Sequence, residues 1–188
     1  MWTLPNVLSL FRILLIPVMG YFLLFTDPLS GALAAVVFIV AALTDFLDGY
    51  LARRNRSVSD FGKLLDPLAD KLLVVTALIM LLANDWPNGE VIPPWLVVLI
   101  VAREVAVTVL RGIALAEGIV IPADHLGKYK LLVQTFALVG LMLHYTYWGV
   151  NFYVAGMYFL ALSALLAAWS GVQYHVDFLR LLRGRARA

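Results

Sequence analysis

The chain has 188 residues, 63% of them hydrophobic and only 14% charged, with a mean hydropathy of +0.91. A soluble domain cannot hide that much apolar surface, so the composition points to an integral membrane protein and leaves no room for a separate soluble domain. The formal net charge of +2 is too small to mark a nucleic-acid binder, and the absence of cysteine excludes disulfide and thiol chemistry.

Read in order, the chain alternates long apolar runs with short polar breaks. The first run, Pro5 to Phe25, is interrupted only by Arg12 and Pro17 and lacks the small-residue cleavage site of a signal peptide, so it reads as a membrane element. Thr26 to Ser30 reads as a turn. A second run, Gly31 to Leu51, carries Asp45 and Asp48 in its last turns and ends in Arg53-Arg54-Asn55-Arg56. A loop from Asn55 to Gly62 leads to a third run, Lys63 to Ala83, with Asp66, Pro67 and Asp70 in its first turns, where the missing donor of proline costs least. Residues 84–94 hold Gly, Asn and Pro and form a loop. The fourth run, Trp95 to Leu115, has Arg103 and Glu104 near its middle and Arg111 farther along. Residues 116–127 form another loop, and the fifth run goes from Lys128 to Tyr147. Past a turn at Gly149-Val150-Asn151, the sixth run reaches about Tyr174 and a basic tail follows. The expected architecture is all-α: six transmembrane helices of about 20 residues in a single domain spanning residues 1–188, without internal repeats.

Orientation follows from the basic residues. Arg53, Arg54, Arg56, Lys63, Lys128, Lys130, Arg180, Arg183, Arg185 and Arg187 all fall after runs two, four and six, whereas the other three connections contain no Lys or Arg. By the positive-inside rule both termini are cytoplasmic, and the aspartates open at the cytoplasmic face. Trp86, Trp95, Tyr147 and Trp148 then read as an interfacial aromatic belt on the opposite side. The arginine-rich tail reads as an anchor for anionic lipid.

The chemistry concentrates between Asp45 and Asp70. Residues three or four apart share a helix face, so Asp45/Asp48 and Asp66/Asp70 each aim two carboxylates in one direction. Four carboxylates at the edge of a bilayer core repel one another and lose hydration, which calls for a compensating positive charge. Aspartates are hard oxygen ligands, suited to Mg2+ or Mn2+. Gly49 and Ala52 leave a bare patch beside Asp48, and Arg53 adds a fixed cation suited to phosphate.

The full spelling, D-x2-D-G-x2-A-R-x8-G-x3-D-x3-D, resembles the signature of the CDP-alcohol phosphatidyltransferases, with every defined position present. That resemblance implies transfer of a phosphatidyl group from CDP-diacylglycerol to an alcohol, with release of CMP, in a bacterial cytoplasmic membrane. It implies two divalent metal ions, bridged by Asp45 and Asp66, with Asp48 completing one site. Asp70 would touch the second ion and take the proton of the acceptor hydroxyl. Gly49, Ala52, Arg53, Ser59 and Gly62 fall in the part of the signature that holds the CDP-lipid. Members of the family are homodimers, and the same is implied here.

Outside the signature, L-P-N-V-L-S-L-F-R at the start, A-R-E-V-A-V-T-V-L-R over Ala102 to Arg111, and G-K-Y-K over Gly127 to Lys130 resemble the members of the family that use sn-glycerol 3-phosphate. The G-K-Y-K stretch is followed by Leu131-Leu132 where a small polar residue is expected. The departure bears on the contact at Lys128; the resemblance as a whole implies that Arg103, Arg111 and Lys128 meet the acceptor phosphate. Arg103 and Arg111 lie on roughly one helix face, about 12 Å apart along it. Arg103 and Glu104, being adjacent, are expected to project about 100° apart rather than to neutralise each other. Two readings of the arginines stand: interhelical ion pairs, or a site for an anionic acceptor. Lys130 reads as a membrane anchor and Lys128 as the ligand. His125, His144 and His175 show no metal-ligand spacing. Another alcohol acceptor is the nearest alternative activity, and a cation path lined by the aspartates is an alternative of a different class.

Overall fold

Helix ends here follow local capping chemistry rather than the limits of the apolar runs. The computed structural model describes the backbone of residues 4–55, 60–86, 89–117 and 126–185, and side chains over 7–44, 68–86, 89–114, 116–117 and 129–181. Among the described residues there are six helices: α1 (Leu4–Phe22), α2 (Pro28–Asn55), α3 (Asp60–Ala83), α4 (Pro94–Ala116), α5 (Leu126–Leu143) and α6 (Phe152–Arg185). Among the described residues one segment, Phe152–Leu181, is by length and composition sufficient to cross a bilayer alone, and shorter apolar stretches cover Val7–Phe22, Pro28–Thr44 and Tyr129–Leu143.

Of the stretch read as a turn at 26–30, Thr26 and Asp27 lie between the helices and Pro28 to Ser30 already belong to α2. Asp27 accepts the backbone N–H of Ser30 at 2.9 Å, and Pro28 takes the first helical position, where its fixed φ suits a helix and its missing donor is not needed. The hydrogen bonds from Ser30 hold the Asp27 carboxyl below the usual carboxylate range. α5 ends four residues before the expected Tyr147. His144 has a φ of 28°, which stops the helix, and a two-residue hairpin follows: β1 (Thr146–Tyr147) pairs antiparallel with β2 (Val150–Asn151). Its loop residues Trp148 and Gly149 have φ of 50° and 78°, as a tight hairpin with right-handed strand twist requires. Asn151 then caps α6 by accepting the Val154 N–H at 3.0 Å. At the other end α6 continues eleven residues past Tyr174, so the basic tail is helical to Arg185.

The helices fall into two compact units, one made of Met1–Ile92 and Leu138–Gly156, the other of Pro93–Ala137 and Met157–Ala188. In the first, α1 packs against both α2 and α3. Met19 and Leu23, Ala34, Phe38 and Ala41, and Ala69, Leu73, Ala77 and Leu81 form its buried interior. Alanines at the crossings let the backbones approach closely, the usual basis of helix association where lipid removes the hydrophobic driving force. Gly140 and Gly156 take this furthest, since a Cβ on Gly140 would lie 2.9 Å from the Gly156 Cα.

The expected aromatic belt divides. Trp148 and Trp95 are 95% and 64% exposed, but Trp86 is buried at 7%. Its ring lies 4.4 Å from that of His144, whose Nδ1 and Nε2 face the carbonyls of Met142 and Thr26 at 3.0 and 3.3 Å. Tyr145 donates to the same Thr26 carbonyl at 2.9 Å. Trp86 and His144 therefore lock the helix ends of the first unit together.

Candidate active site

The aspartate signature straddles the end of α2 and the start of α3. Asp45, Asp48, Gly49, Ala52 and Arg53 lie on α2, and Gly62, Asp66 and Asp70 on α3. Ser59 lies outside the described residues, and so do the side chains of the others except Asp70. The helices are joined by residues 56–59 alone. Asp48 and Asp45 are seven and ten residues from the last residue of α2, and Asp66 and Asp70 six and ten from the first of α3. At 1.5 Å per residue both pairs lie about 9–15 Å from the helix ends that face the connection. The backbone thus sets the two pairs at matching depths on consecutive helices that share α1 as a packing partner. Asp70 is half-buried and partnered, next to the fully buried Ala69.

Arg12 belongs to this unit as well. The sequence reading treats it as an interruption of an apolar run, yet it is the largest fully buried side chain described, on α1, with Ser9 buried one turn before it. Both are partnered within the structure. A guanidinium is always charged and is not kept in a bilayer-embedded interior without compensation.

The second unit holds a polar cluster of its own. Arg103 on α4 donates from Nη1 to Glu104 Oε1 at 3.2 Å and from Nη2 to Ser170 Oγ on α6 at 2.8 Å. The same Glu104 oxygen accepts Lys130 Nζ from α5. The long side chains span the angle between neighbouring helix positions, so Arg103 and Glu104 do pair, against the sequence expectation. Gly171 makes room for the Arg103 stem, since a Cβ there would lie 3.1 Å from its Cγ. Lys130, 5% exposed, is an interior residue rather than an interfacial anchor. Arg111 is exposed, with its guanidinium carbon 5.6 Å from the centre of the Tyr174 ring. Lys128 begins α5 as expected, with its side chain outside the described residues.

The model of the CDP-alcohol phosphatidyltransferase family matches residues 2–169, most of the chain. The chain belongs to that family. Among relatives of this phosphatidyltransferase, one from Bacillus subtilis is 42% identical over 77% of this chain and 78% of its own length. One from Rickettsia typhi is 39% identical over 93% and 96%, and one from Escherichia coli 35% identical over 92% and 93%. All three are named CDP-diacylglycerol–glycerol-3-phosphate 3-phosphatidyltransferase.

The donor set of this CDP-alcohol phosphatidyltransferase suits divalent metal. Four carboxylates in two helical pairs supply only hard oxygen, the chemistry of Mg2+ and Mn2+ rather than of zinc or copper. Among the residues with described side chains no group of three His, Asp or Glu gathers elsewhere as a metal cluster, and three of the four signature aspartates fall outside that set. His144 is engaged by backbone carbonyls through both ring nitrogens, and His175 Nδ1 faces the Gly171 carbonyl at 2.8 Å. Ser170 and Tyr174, which meet Arg103 and Arg111, were not singled out from the sequence, and Glu104 and Lys130 were noted there without their mutual pairing. The one available signal was spacing, because Ser163, Ser170 and Tyr174 recur on one face of α6, at seven and then four residues.

Proposed function

We propose that this protein transfers the phosphatidyl group of CDP-diacylglycerol to sn-glycerol 3-phosphate, giving phosphatidylglycerophosphate and CMP. The observation that carries the reading is the complete aspartate signature, set on consecutive helices within a chain that matches the family over residues 2–169. Relatives bearing that activity in their names, similar over nine-tenths of the chain in two cases, support the choice of acceptor.

In this reading Asp45, Asp48, Asp66 and Asp70 hold two divalent cations. When bound, such ions neutralise the diphosphate and stabilise the oxygen on which CMP leaves. Gly49 and Ala52 admit the donor close to the α2 backbone, Arg53 pairs with its phosphate, and Ser59 and Gly62 complete its seat. Arg103, Arg111 and Lys128 supply cations for the acceptor phosphate. The acceptor hydroxyl oxygen attacks the phosphorus that bears the diacylglycerol, the bond from that phosphorus to the CMP oxygen breaks, and the hydroxyl proton passes to Asp70. An aspartate is a weak base for an alcohol, so proton removal is late and charge neutralisation lowers most of the barrier. We infer also that the six helices span the bacterial cytoplasmic membrane with both termini inside, as the Lys and Arg distribution favours.

The test is incubation of the purified protein in detergent with CDP-diacylglycerol, Mg2+ or Mn2+, and a panel of alcohols. CMP is expected with sn-glycerol 3-phosphate and not with serine, inositol phosphate or phosphatidylglycerol. CMP release with one of those instead overturns the acceptor assignment.

A further inference from the structure

The contacts of α4, α5 and α6 assign a role to Glu104 that the aspartate chemistry does not use. A single carboxylate oxygen receives two cations from different helices, Arg103 Nη1 at 3.2 Å and Lys130 Nζ, and the side chains of Arg103, Glu104 and Lys130 are only 15%, 17% and 7% exposed. Ser170 fixes the other end of the same guanidinium at 2.8 Å and is itself held by a 3.3 Å bond to the Ala167 carbonyl. The space above Gly171 lets the Arg103 stem lie flat against α6.

As a helix tie this arrangement is poor engineering. Buried ion networks of this kind are matched or exceeded in stability by apolar residues of the same volume, so stability alone does not account for three charges in an apolar interior. Two cations brought together are, however, what a phosphate monoester engages, with a guanidinium supplying directed donors and an ammonium a point charge. Left to themselves, Arg103 and Lys130 repel. A carboxylate between them removes that repulsion and sets their separation.

We propose that Glu104 is a positioning residue for the acceptor, holding Arg103 and Lys130 as a preformed pair for the phosphate of an alcohol phosphomonoester. This rests on the acceptor reading above and adds Lys130, in place of a mere membrane anchor, to the residues that serve it. Glu104 does not touch substrate in this scheme and acts through the two cations.

The experiment compares wild type, Glu104→Gln and Glu104→Asp in detergent with Mg2+, measuring KM for sn-glycerol 3-phosphate and for CDP-diacylglycerol separately, and inhibition by inorganic phosphate. Glu104→Gln is expected to raise KM for sn-glycerol 3-phosphate at least about tenfold and to weaken phosphate inhibition in parallel, with KM for the CDP-lipid within about twofold of wild type. Glu104→Asp, which keeps the charge, recovers most of the loss. A purely structural tie moves neither constant selectively. If Glu104→Gln does not give a monodisperse folded protein, Lys130→Met, which keeps Glu104 paired with Arg103, carries the test, and a selective rise in KM for sn-glycerol 3-phosphate is expected there too. Unchanged KM for sn-glycerol 3-phosphate in a folded variant overturns the inference alone. Wild-type protein that releases CMP only with a different alcohol overturns the acceptor reading and this inference with it.

Discussion

Replacing Arg111 by alanine separates two roles that differ in size. The side chain is exposed on α4, with its guanidinium carbon 5.6 Å from the centre of the Tyr174 ring. A cation–π contact at an exposed site contributes about 0.5–1 kcal/mol, so losing it alone lowers Tm by about 1–4 °C and leaves substrate constants where they were. A charge-assisted hydrogen bond to a phosphate is worth about 1.5–3 kcal/mol, which at about 1.4 kcal/mol per decade raises KM about 12- to 140-fold. Arg111→Ala is therefore expected to raise KM for sn-glycerol 3-phosphate by more than about tenfold, to leave KM for CDP-diacylglycerol unchanged, and to shift Tm only slightly. Steady-state CMP release with each substrate varied in turn, beside thermal unfolding in the same detergent, measures all three. Tyr174→Phe is the companion variant. It keeps the ring beneath the guanidinium and removes a buried hydroxyl that has no hydrogen-bond partner among the described residues, so it should leave KM unchanged and stability equal or higher. Equal loss of both substrates in Arg111→Ala, or a raised acceptor KM in Tyr174→Phe, refutes this division of labour.

Asp70→Asn should lower turnover by about 10²–10⁴-fold while equilibrium binding of the CDP-lipid stays near that of wild type, and near-normal turnover would place the base elsewhere. Gly140→Ala should lower Tm, because the added Cβ meets backbone at 2.9 Å from Gly156 Cα and 3.2 Å from the Phe152 carbonyl oxygen, and overpacking of this kind costs about 1–3 kcal/mol. An unchanged Tm would mean that α5 and α6 do not meet there. Single cysteines at Ser57 and Asn88, two positions outside the described residues, should react with an impermeant thiol reagent from opposite faces of the membrane, and reaction from one face refutes the six-span topology.

Much of this was legible in the residues because the determinants are local. Long apolar runs announce helices, and the spacing of the aspartates along two of them already places the two pairs at matching depths. Helix ends were less legible, since Asp27-Pro28 serves equally as a turn or as a cap followed by a first helical residue, and only its bond to the Ser30 amide decides between them. The hairpin at 146–151 was hidden because Trp148 adopts a positive φ that its side chain does not advertise. Long-range partners were least legible of all. Nothing in the order of residues tells that Arg103 reaches Ser170, 67 positions away, or that Lys130 turns inward to Glu104 while Arg111 stays exposed over a tyrosine ring. Similarly, Trp86 looked like its exposed counterparts and is instead buried against His144.

The central claim is that the four signature aspartates hold two divalent ions that carry the transfer. Its most direct test is Mn2+ binding to the purified protein, counted by electron paramagnetic resonance with CDP-diacylglycerol present, for wild type, Asp45→Asn and Asp66→Asn. Two coupled ions per chain are expected in the wild type, with loss of the coupled pair and of CMP release in both variants. A pair retained in either variant, or full turnover by the wild type in excess chelator, would contradict the claim.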